Sequence, residues 1–215
     1  MRPEIVKINS DNPETSLIRY AADQIRAGEV LGMPTDTFYG LAADPFNLRA
    51  VDRVYDIKSR SRHKPLSLLI ENVDQAEELA QPLPDEFYVL ARRFWPGPLT
   101  IIVRASSKLP LKVTANTGNV ALRVPNSKIP LAVVQAAQIP ITATSANLSG
   151  ESECTTAVAV RDQLRDRISI IVDGGTSPRD VASTIVDLTN EEKRWYILRE
   201  GAISSQQISE FFAQG

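Results

Sequence analysis

The chain contains 215 residues, of which 43% are hydrophobic, so it is long enough to bury a sizeable core as one large α/β domain. Its formal net charge of −2 argues against binding of nucleic acid or membrane by overall charge and leaves room only for a local basic surface. One cysteine and one histidine exclude an internal disulfide and a zinc site built from these residue types alone.

The hydrophobic pattern predicts helices that alternate with strands along most of the chain. In the first half the predicted elements are an edge strand at residues 5–6, a helix at 17–25, a strand at 30–33, a helix at 48–57, a strand at 66–70, helices at 74–80 and 85–95, and strands at 99–104 and 120–124. In the second half they are a helix at 130–138, a strand at 139–144, a helix at 157–166, strands at 168–172, 184–188 and 195–198, and a helix at 205–212. We expect Asn12 and Asn47 to cap the first two helices and Gly28 to end the first.

This order of elements predicts an α/β fold in a single domain over residues 1–215, with a twisted, open, mixed sheet flanked by helices. No flexible linker, low-complexity block or internal repeat divides the sequence. The first residues lack the apolar core of a signal peptide, and no apolar run has transmembrane length. We therefore expect a cytoplasmic protein without a membrane partner.

A hydroxyl-rich loop at residues 34–45 stands between a predicted strand and a predicted helix. It contains Thr35, Asp36 and Thr37, and we expect Gly40 to adopt a positive φ that turns the backbone. Loops of this kind commonly bind ligands, because helix N-termini and free backbone donors converge there. The same composition also suits a capped turn that binds nothing.

A basic run follows the second predicted helix. Lys58, Arg60, Arg62 and Lys64 alternate with small polar residues, and an extended segment would place all four side chains on one side. Such a row could hold phosphate oxygens, although it could equally be a solvated helix end. The glycine-rich signatures of common nucleotide-binding loops are absent from the sequence.

Three further features could contribute to a site. Residues 144–147, Thr-Ser-Ala-Asn, follow a predicted strand and offer two hydroxyls and an amide, or form a simple turn. Arg123 lies in an apolar strand, where its charge needs either a bound anion or an internal carboxylate. Ser183 and Arg199 each adjoin an apolar strand, which they could merely cap.

Taken in order, these features resemble a known family. The segments PTDTFYGL, KSRSRHKPL, FWPGPLTIIV, ALRVP, TSANLSG, STIVDL and ILREG are similar to those of the YrdC-like family, the threonylcarbamoyl-adenylate synthases of the TsaC type. The resemblance is strongest over residues 30–201. The K-x-R and S-x-N signatures of the family correspond to residues 58–60 and 145–147.

The resemblance implies a nucleotidyltransferase that condenses L-threonine, bicarbonate and ATP to threonylcarbamoyl-AMP and pyrophosphate. This reaction is the first step toward N6-threonylcarbamoyladenosine at position 37 of transfer RNA, and a downstream tRNA-modifying transferase complex would take the product. Mg²⁺ would be carried by the nucleotide phosphates, without a dedicated metal site in the protein. The implied fold is the short, single-domain form of the family, with a basic concave face.

The resemblance also implies roles for individual residues. The catalytic residues would be Lys58 and Arg60. The threonine site would contain Thr35, Thr37, Arg123 and Ser183. The nucleotide site would contain Arg60, Lys64, Asn119, Ser145, Asn147 and Arg199.

The sequence departs from part of the family pattern in the strand after the basic run. Some members of the family carry a histidine there, whereas this chain has the residues LSLLI at 66–70. The sole histidine, His63, precedes that strand and cannot simply replace the missing one. The contact of that histidine with threonine therefore has no evident counterpart in this sequence.

Two alternatives share the same fold. Relatives are linked with double-stranded RNA and ribosome maturation, and a basic concave face would suit the phosphate backbone of double-stranded RNA or transfer RNA. The acidic total and the lack of aromatic residues among the basic ones argue against RNA as the main ligand. The second alternative is a YciO-like paralogue with little synthase activity, over which the intact K-x-R and S-x-N signatures favour the synthase.

Overall fold

The computed structural model describes residues 2–178, 181–190 and 192–213 of the chain. The strands in these ranges are β1 (Glu4–Lys7), β2 (Leu31–Met33), β3 (Gly40–Ala42), β4 (Ser67–Leu69), β5 (Leu99–Arg104), β6 (Asn119–Arg123), β7 (Ile141–Thr142), β8 (Thr144–Ser145), β9 (Ile170–Asp173), β10 (Thr184–Asp187) and β11 (Tyr196–Arg199). The helices are α1 (Thr15–Arg26), α2 (Leu48–Lys58), α3 (Val73–Leu79), α4 (Asp85–Phe94), α5 (Leu111–Thr114), α6 (Lys128–Ala137), α7 (Ala157–Leu164) and α8 (Ser205–Ala213).

The strands form two open mixed sheets. One sheet has the order β1-β9-β2-β3-β8, and the other has the order β11-β10-β5-β6-β4-β7. Strand β1 lies at an edge, as predicted, and helices such as α6 and α7 pack against strands. The predicted class, an open mixed α/β fold flanked by helices, is confirmed, with the strands divided between two sheets. In the described ranges no helix combines the length and apolar character needed to cross a membrane.

The helices build the core through apolar residues at three- and four-residue spacing. Helix α1 buries Ile18, Ala21 and Ile25 on one face, where it packs against α6. Gly28 follows the C-cap of α1 with a φ of 92° and ends the helix, as predicted. The side chain of Asn47 accepts hydrogen bonds from the first turn of α2, so its predicted role as a cap is also confirmed.

The expected cap of α1 is wrong. The helix begins at Thr15, and Glu14 occupies the position before it. The side-chain oxygen of Asn9 accepts hydrogen bonds from the N–H groups of Asp11 and Asn12, at 2.9 and 3.1 Å. These contacts fold residues 9–12 into a separate turn that ends before the helix starts.

The hydroxyl-rich loop does not lead directly into a helix, contrary to the prediction. Strand β3 follows it and pairs antiparallel with β2, so residues 34–39 connect two neighbouring strands. Gly40 is the first residue of β3, where it pairs with Met33 and Ser145, and it does not have the expected positive φ. Three apolar residues are too few to show a strand period, which is why the sequence did not reveal β3.

The single strand expected at 139–144 is also wrong, because two strands replace it. Strand β7 pairs with β4 in one sheet, and β8 pairs with β3 in the other. Ala143 lies between them and donates its N–H to the carbonyl of Ser67 at 2.9 Å. The chain therefore crosses from one sheet to the other at this point, and a cleft lies beside the crossing.

Candidate active site

A cleft of about 170 Å³ lies between the two sheets, beside the crossing at Ala143. It is lined by residues of β3 and β8 from one sheet and of β4, β5, β6 and β10 from the other. Seven of the predicted site residues line it: Thr35, Thr37, Arg60, Arg123, Ser145, Ser183 and Arg199. The fold therefore brings residues from distant parts of the sequence to one cavity.

The floor of the cleft is a row of side chains across four neighbouring strands. The register aligns Ile185 of β10 with Thr100 of β5, and Leu69 of β4 with Arg123 of β6. Extending the antiparallel β5–β6 register by one pair places Thr100 opposite Arg123. All four side chains line the cleft. Three members of this row were not predicted, because their alignment depends on strand pairing between distant segments.

Arg123 contacts Gly97, Thr37 and Asp36, of which Thr37 also lines the cleft. Its Nε donates to the carbonyl of Gly97 at 3.0 Å, and its Nη1 donates to Thr37 Oγ1 at 3.1 Å. Its Nη2 forms an ion pair with the carboxylate of Asp36, and the two side chains are 8% and 5% exposed. The sequence left open whether Arg123 pairs with a bound anion or with an internal carboxylate, and Asp36 supplies an internal carboxylate. The second oxygen of Asp36, Oδ2, is buried without a hydrogen-bond partner.

The Thr35–Thr37 segment is fixed by its own hydroxyls. Thr35 Oγ1 donates to the carbonyl of Phe38 at 2.7 Å and accepts the N–H of Thr37 at 3.1 Å. Both threonines are buried and also line the cleft. The turn is therefore internally capped, and it also presents its side chains to the cavity.

Ser183 and Arg199 form a polar network on another wall. The hydroxyls of Ser183 and Thr100 lie 2.9 Å apart, and both side chains are buried. Arg199 Nη2 donates to the carbonyl of Ser183 at 2.8 Å and to its Oγ at 3.2 Å. The guanidinium of Arg199 is thus anchored to Ser183, and Arg199 also lines the cleft.

Lys58 is only 2% exposed and does not line the cleft. Its Nζ donates to the carbonyl and the side-chain oxygen of Asn147, both at 2.9 Å, and to the carbonyl of Ser145. Burial, and secondarily the charge of Arg60, lower the pKa of Lys58 to about 8. Lys58 therefore holds the 145–147 turn from the side away from the cleft. Of the residues in that turn, Ser145 lines the cleft.

Arg60 is half-buried and lines the cleft. Its Nη2 donates to the carbonyl of Pro65 at 3.0 Å, whereas its Nε is buried without a partner. Burial lowers the pKa of its guanidinium. Guanidinium groups that line a cleft can bind carboxylate or phosphate oxygens through their remaining N–H groups.

The expectation that the four basic side chains share one side is wrong. Helix α2 continues through Lys58, and Ser59 adopts the left-handed conformation with φ of 50°. The chain then turns, so that Arg62 pairs with carboxylates on the surface of α2 and Lys64 is exposed outside the cleft. Only Arg60 of this run reaches the cavity.

Two other predicted nucleotide residues do not line the cleft. Asn119 begins β6, four residues and roughly 13 Å along the strand from Arg123. Its amide donates to Thr189 Oγ1 at 3.2 Å. Asn147 is buried against Lys58, as described above, and its amide donates to the carbonyl of Glu151 at 2.7 Å.

Several lining residues were missed from the sequence. Ser67 and Leu69 belong to the LSLLI strand in which some relatives carry a histidine, and both face the cleft because alternate residues share a face. That alternation could have identified them. Glu153 is the acidic residue among the described lining residues, and its sequence context gave no signal.

Comparison with known proteins places the chain among proteins of one family. Residues 23–201 match the family model Sua5_yciO_yrdC, which has the description Telomere recombination. The Threonylcarbamoyl-AMP synthase of Pyrococcus abyssi is 37% identical over 199 residues, which are 92% of this chain and 57% of that protein. The Putative threonylcarbamoyl-AMP synthase of Mycobacterium tuberculosis is 35% identical over 190 residues, 88% of this chain and 86% of that protein.

A solved structure agrees with these sequence matches. The crystal structure of P. abyssi Sua5 complexed with L-threonine has a TM-score of 0.92 and 36% identity, over 96% of this chain and 60% of that chain. The present chain thus spans less than two thirds of the P. abyssi protein. Because the family model covers most of the sequence, the chain belongs to the Sua5/YciO/YrdC family.

Proposed function

We propose that this chain is an L-threonylcarbamoyladenylate synthase, which joins L-threonine, bicarbonate and ATP. The observation that carries the proposal is the convergence of Arg60, Arg123 and Arg199 with several hydroxyls on one cleft. Three cations suit the carboxylate and phosphate groups of these substrates. The names of the P. abyssi and M. tuberculosis relatives, and the threonine complex of P. abyssi Sua5, support the same activity.

L-Threonine would bind on the floor of the cleft. Arg123 would pair with its carboxylate, and Thr35, Thr37 and Ser183 would surround it. A volume of about 170 Å³ is below the ~300–1,000 Å³ of pockets that enclose drug-sized ligands, so the enclosed part suits an amino acid. The nucleotide would then extend from this enclosed part toward the solvent-exposed opening of the cleft.

The phosphates of ATP would bind at the side of the cleft that Arg60, Ser145 and Arg199 line, which is the loop side. Lys58 would act by positioning Ser145 and not by touching phosphate, because its Nζ is fully engaged by the 145–147 turn. Lys64, Asn119 and Asn147 remain predictions as nucleotide ligands. Mg²⁺ would arrive on the phosphates, and the described residues contain no cluster of three metal-ligating side chains.

The proposed reaction needs charge stabilisation more than a protein nucleophile. The α-amino group of threonine combines with bicarbonate, with loss of water, to give a carbamate. A carbamate oxygen then attacks the α-phosphorus of ATP, a P–O bond forms, and the bond to pyrophosphate breaks. Negative charge gathers on the phosphate oxygens and on the leaving pyrophosphate, where arginine N–H groups can stabilise it.

The wider setting of this activity is also a proposal. A single domain over residues 1–215 would act in the cytoplasm and pass threonylcarbamoyl-AMP to a tRNA-modifying transferase complex that forms N6-threonylcarbamoyladenosine at position 37. The predicted basic concave face could in addition meet RNA, although Glu153 places a negative charge among the arginines of the cleft.

Pyrophosphate release from ATP by the purified protein tests the proposed function. The expected result is release that requires both L-threonine and bicarbonate. Release that is independent of both would contradict the proposal, as would ATP binding without any release, which fits a YciO-like paralogue. Tight RNA binding with a steep salt dependence, undiminished by saturating ATP, would favour the RNA-binding alternative.

A further inference from the structure

We propose that Thr100, Ser183 and Ile185 select an amino acid that carries both a hydroxyl and a methyl group on its β-carbon. This inference rests on the proposed function and adds the residues that would distinguish threonine from its close analogues.

The three side chains lie beside Arg123 in the floor of the cleft. Thr100 is opposite Arg123 in the row, and Ile185 is the next member beyond Thr100. Ser183 precedes Ile185 by two residues and faces the same cavity. Neighbouring strands are about 4.8 Å apart, so an amino acid with its carboxylate on Arg123 would place its β-carbon substituents near Thr100.

The Thr100–Ser183 pair has a proton to spare. Each hydroxyl has one O–H, and the contact between the two oxygens, at 2.9 Å, uses one of these protons. Arg199 Nη2 is a donor to Ser183 Oγ and therefore cannot accept the other proton. The described part of the chain supplies no further acceptor to either hydroxyl. Both residues are buried, at 3% and 7% exposure, so an acceptor in the cleft would be favourable.

The hydroxyl of a bound threonine is a suitable acceptor and would complete this network. Valine has the shape of threonine but a methyl group in place of the hydroxyl, and would leave the buried proton unpaired. Sites that hydrogen-bond a substrate hydroxyl reject such analogues strongly, because their own polar groups are then left without a partner.

The methyl group would contact Ile185, the apolar member of the row beside Thr100. Serine lacks this methyl and would leave the contact unfilled. One methyl group in an apolar pocket is worth about 10–200-fold in selectivity, so this discrimination is the weaker of the two.

The test compares L-threonine, L-valine and L-serine in three variants, by calorimetric binding and by pyrophosphate release. Thr100→Val should lower the threonine-over-valine preference by about tenfold or more and leave the threonine-over-serine preference unchanged. Ile185→Ala should do the reverse. Thr100→Ser keeps a hydroxyl and should retain the preference over valine.

Thr142→Val is the matched control, because Thr142 is a buried threonine of β7 whose hydroxyl donates to the carbonyl of Leu41, outside the cleft. It should leave both preferences at their wild-type values. An unchanged threonine-over-valine preference in folded Thr100→Val would overturn the inference, and so would wild-type protein that binds valine as tightly as threonine. Absence of threonine-dependent release in the wild type would instead contradict the proposed function.

Discussion

The two sides of the cleft are built differently. On the sheet side, Arg123 already pairs with Asp36 and Thr37, and Ser183 already meets Thr100. On the loop side, Arg60 carries a buried Nε without a partner. The sheet side is thus held mainly by its own contacts, which leave over Asp36 Oδ2 and one hydroxyl proton of the Thr100–Ser183 pair. On the loop side, the guanidinium of Arg60 makes one hydrogen bond, to the carbonyl of Pro65.

This difference suggests a division of labour. Strand pairing fixes the row that would recognise threonine, so small changes there should alter affinity for the amino acid. The loop side depends on Lys58, which holds the 145–147 turn through hydrogen bonds alone. Changes on that side should act on the nucleotide and on the chemical step.

Arg60→Ala should lower the rate of pyrophosphate formation by about 100-fold or more, because in the proposed mechanism it removes a guanidinium that stabilises developing phosphate charge. Circular dichroism should show an intact fold, since the side chain contributes little to the core. Arg62→Ala is the control: its side chain is exposed and pairs with Asp52 and Asp56, and the rate should stay within about twofold. Equal rates in the two variants would contradict the role of Arg60.

Arg123→Lys should raise the KM for threonine by about tenfold and leave the KM for ATP unchanged. Lysine keeps the charge opposite Asp36 but loses the planar fork that binds a carboxylate bidentately. Steady-state kinetics with each substrate varied in turn would measure both constants. A rise in the KM for ATP alone would reverse the assignment of the two sides.

Lys58 should make the free energy of unfolding increase with pH in the alkaline range. Its pKa falls from 10.5 to about 8 in the folded protein, so the unfolded chain binds more protons between these values. Relative to Lys58→Met, the free energy of unfolding should therefore rise by up to about 1.4 kcal/mol for each pH unit as the pH increases from about 8 to 10.5. This gain in stability should be lost again as the pH falls through about 8. Urea unfolding of both proteins at pH 7, 8, 9 and 10 measures the difference; parallel curves would contradict the lowered pKa.

Lys64→Ala should have the smallest effect. The side chain is exposed and lies outside the cleft, so the KM for ATP should change by less than about twofold, as for other exposed charges. A tenfold increase would show that Lys64 meets the nucleotide after all, as the family resemblance implies.

Local signals were predictable from the sequence, and features made by distant pairing were not. Asn47 and Gly28 act within one turn of a helix, and β5 coincides with the apolar run at 99–104. The break between β7 and β8 arises because segments distant in sequence supply their partners, and β3 joins the adjacent β2 to the distant β8. Short strands of this kind carry too few residues for a periodic pattern.

The candidate site shows the same limit. The resemblance supplied Arg60, Arg123 and Ser183, which the fold brings to one cleft. Thr100 and Ile185 could not be identified, because nothing in either strand alone indicates that they align beside Arg123. Lys58 was expected to share one side with the other basic residues, but helix α2 continues through it and its amino group binds the 145–147 turn.

Calorimetric titration of L-threonine into the wild type, Arg123→Ala and Arg60→Ala, without nucleotide, tests the division of the cleft most directly. The account predicts threonine binding to the wild type and to Arg60→Ala with similar affinity, and loss of binding in Arg123→Ala. Loss in Arg60→Ala together with full binding in folded Arg123→Ala would contradict it.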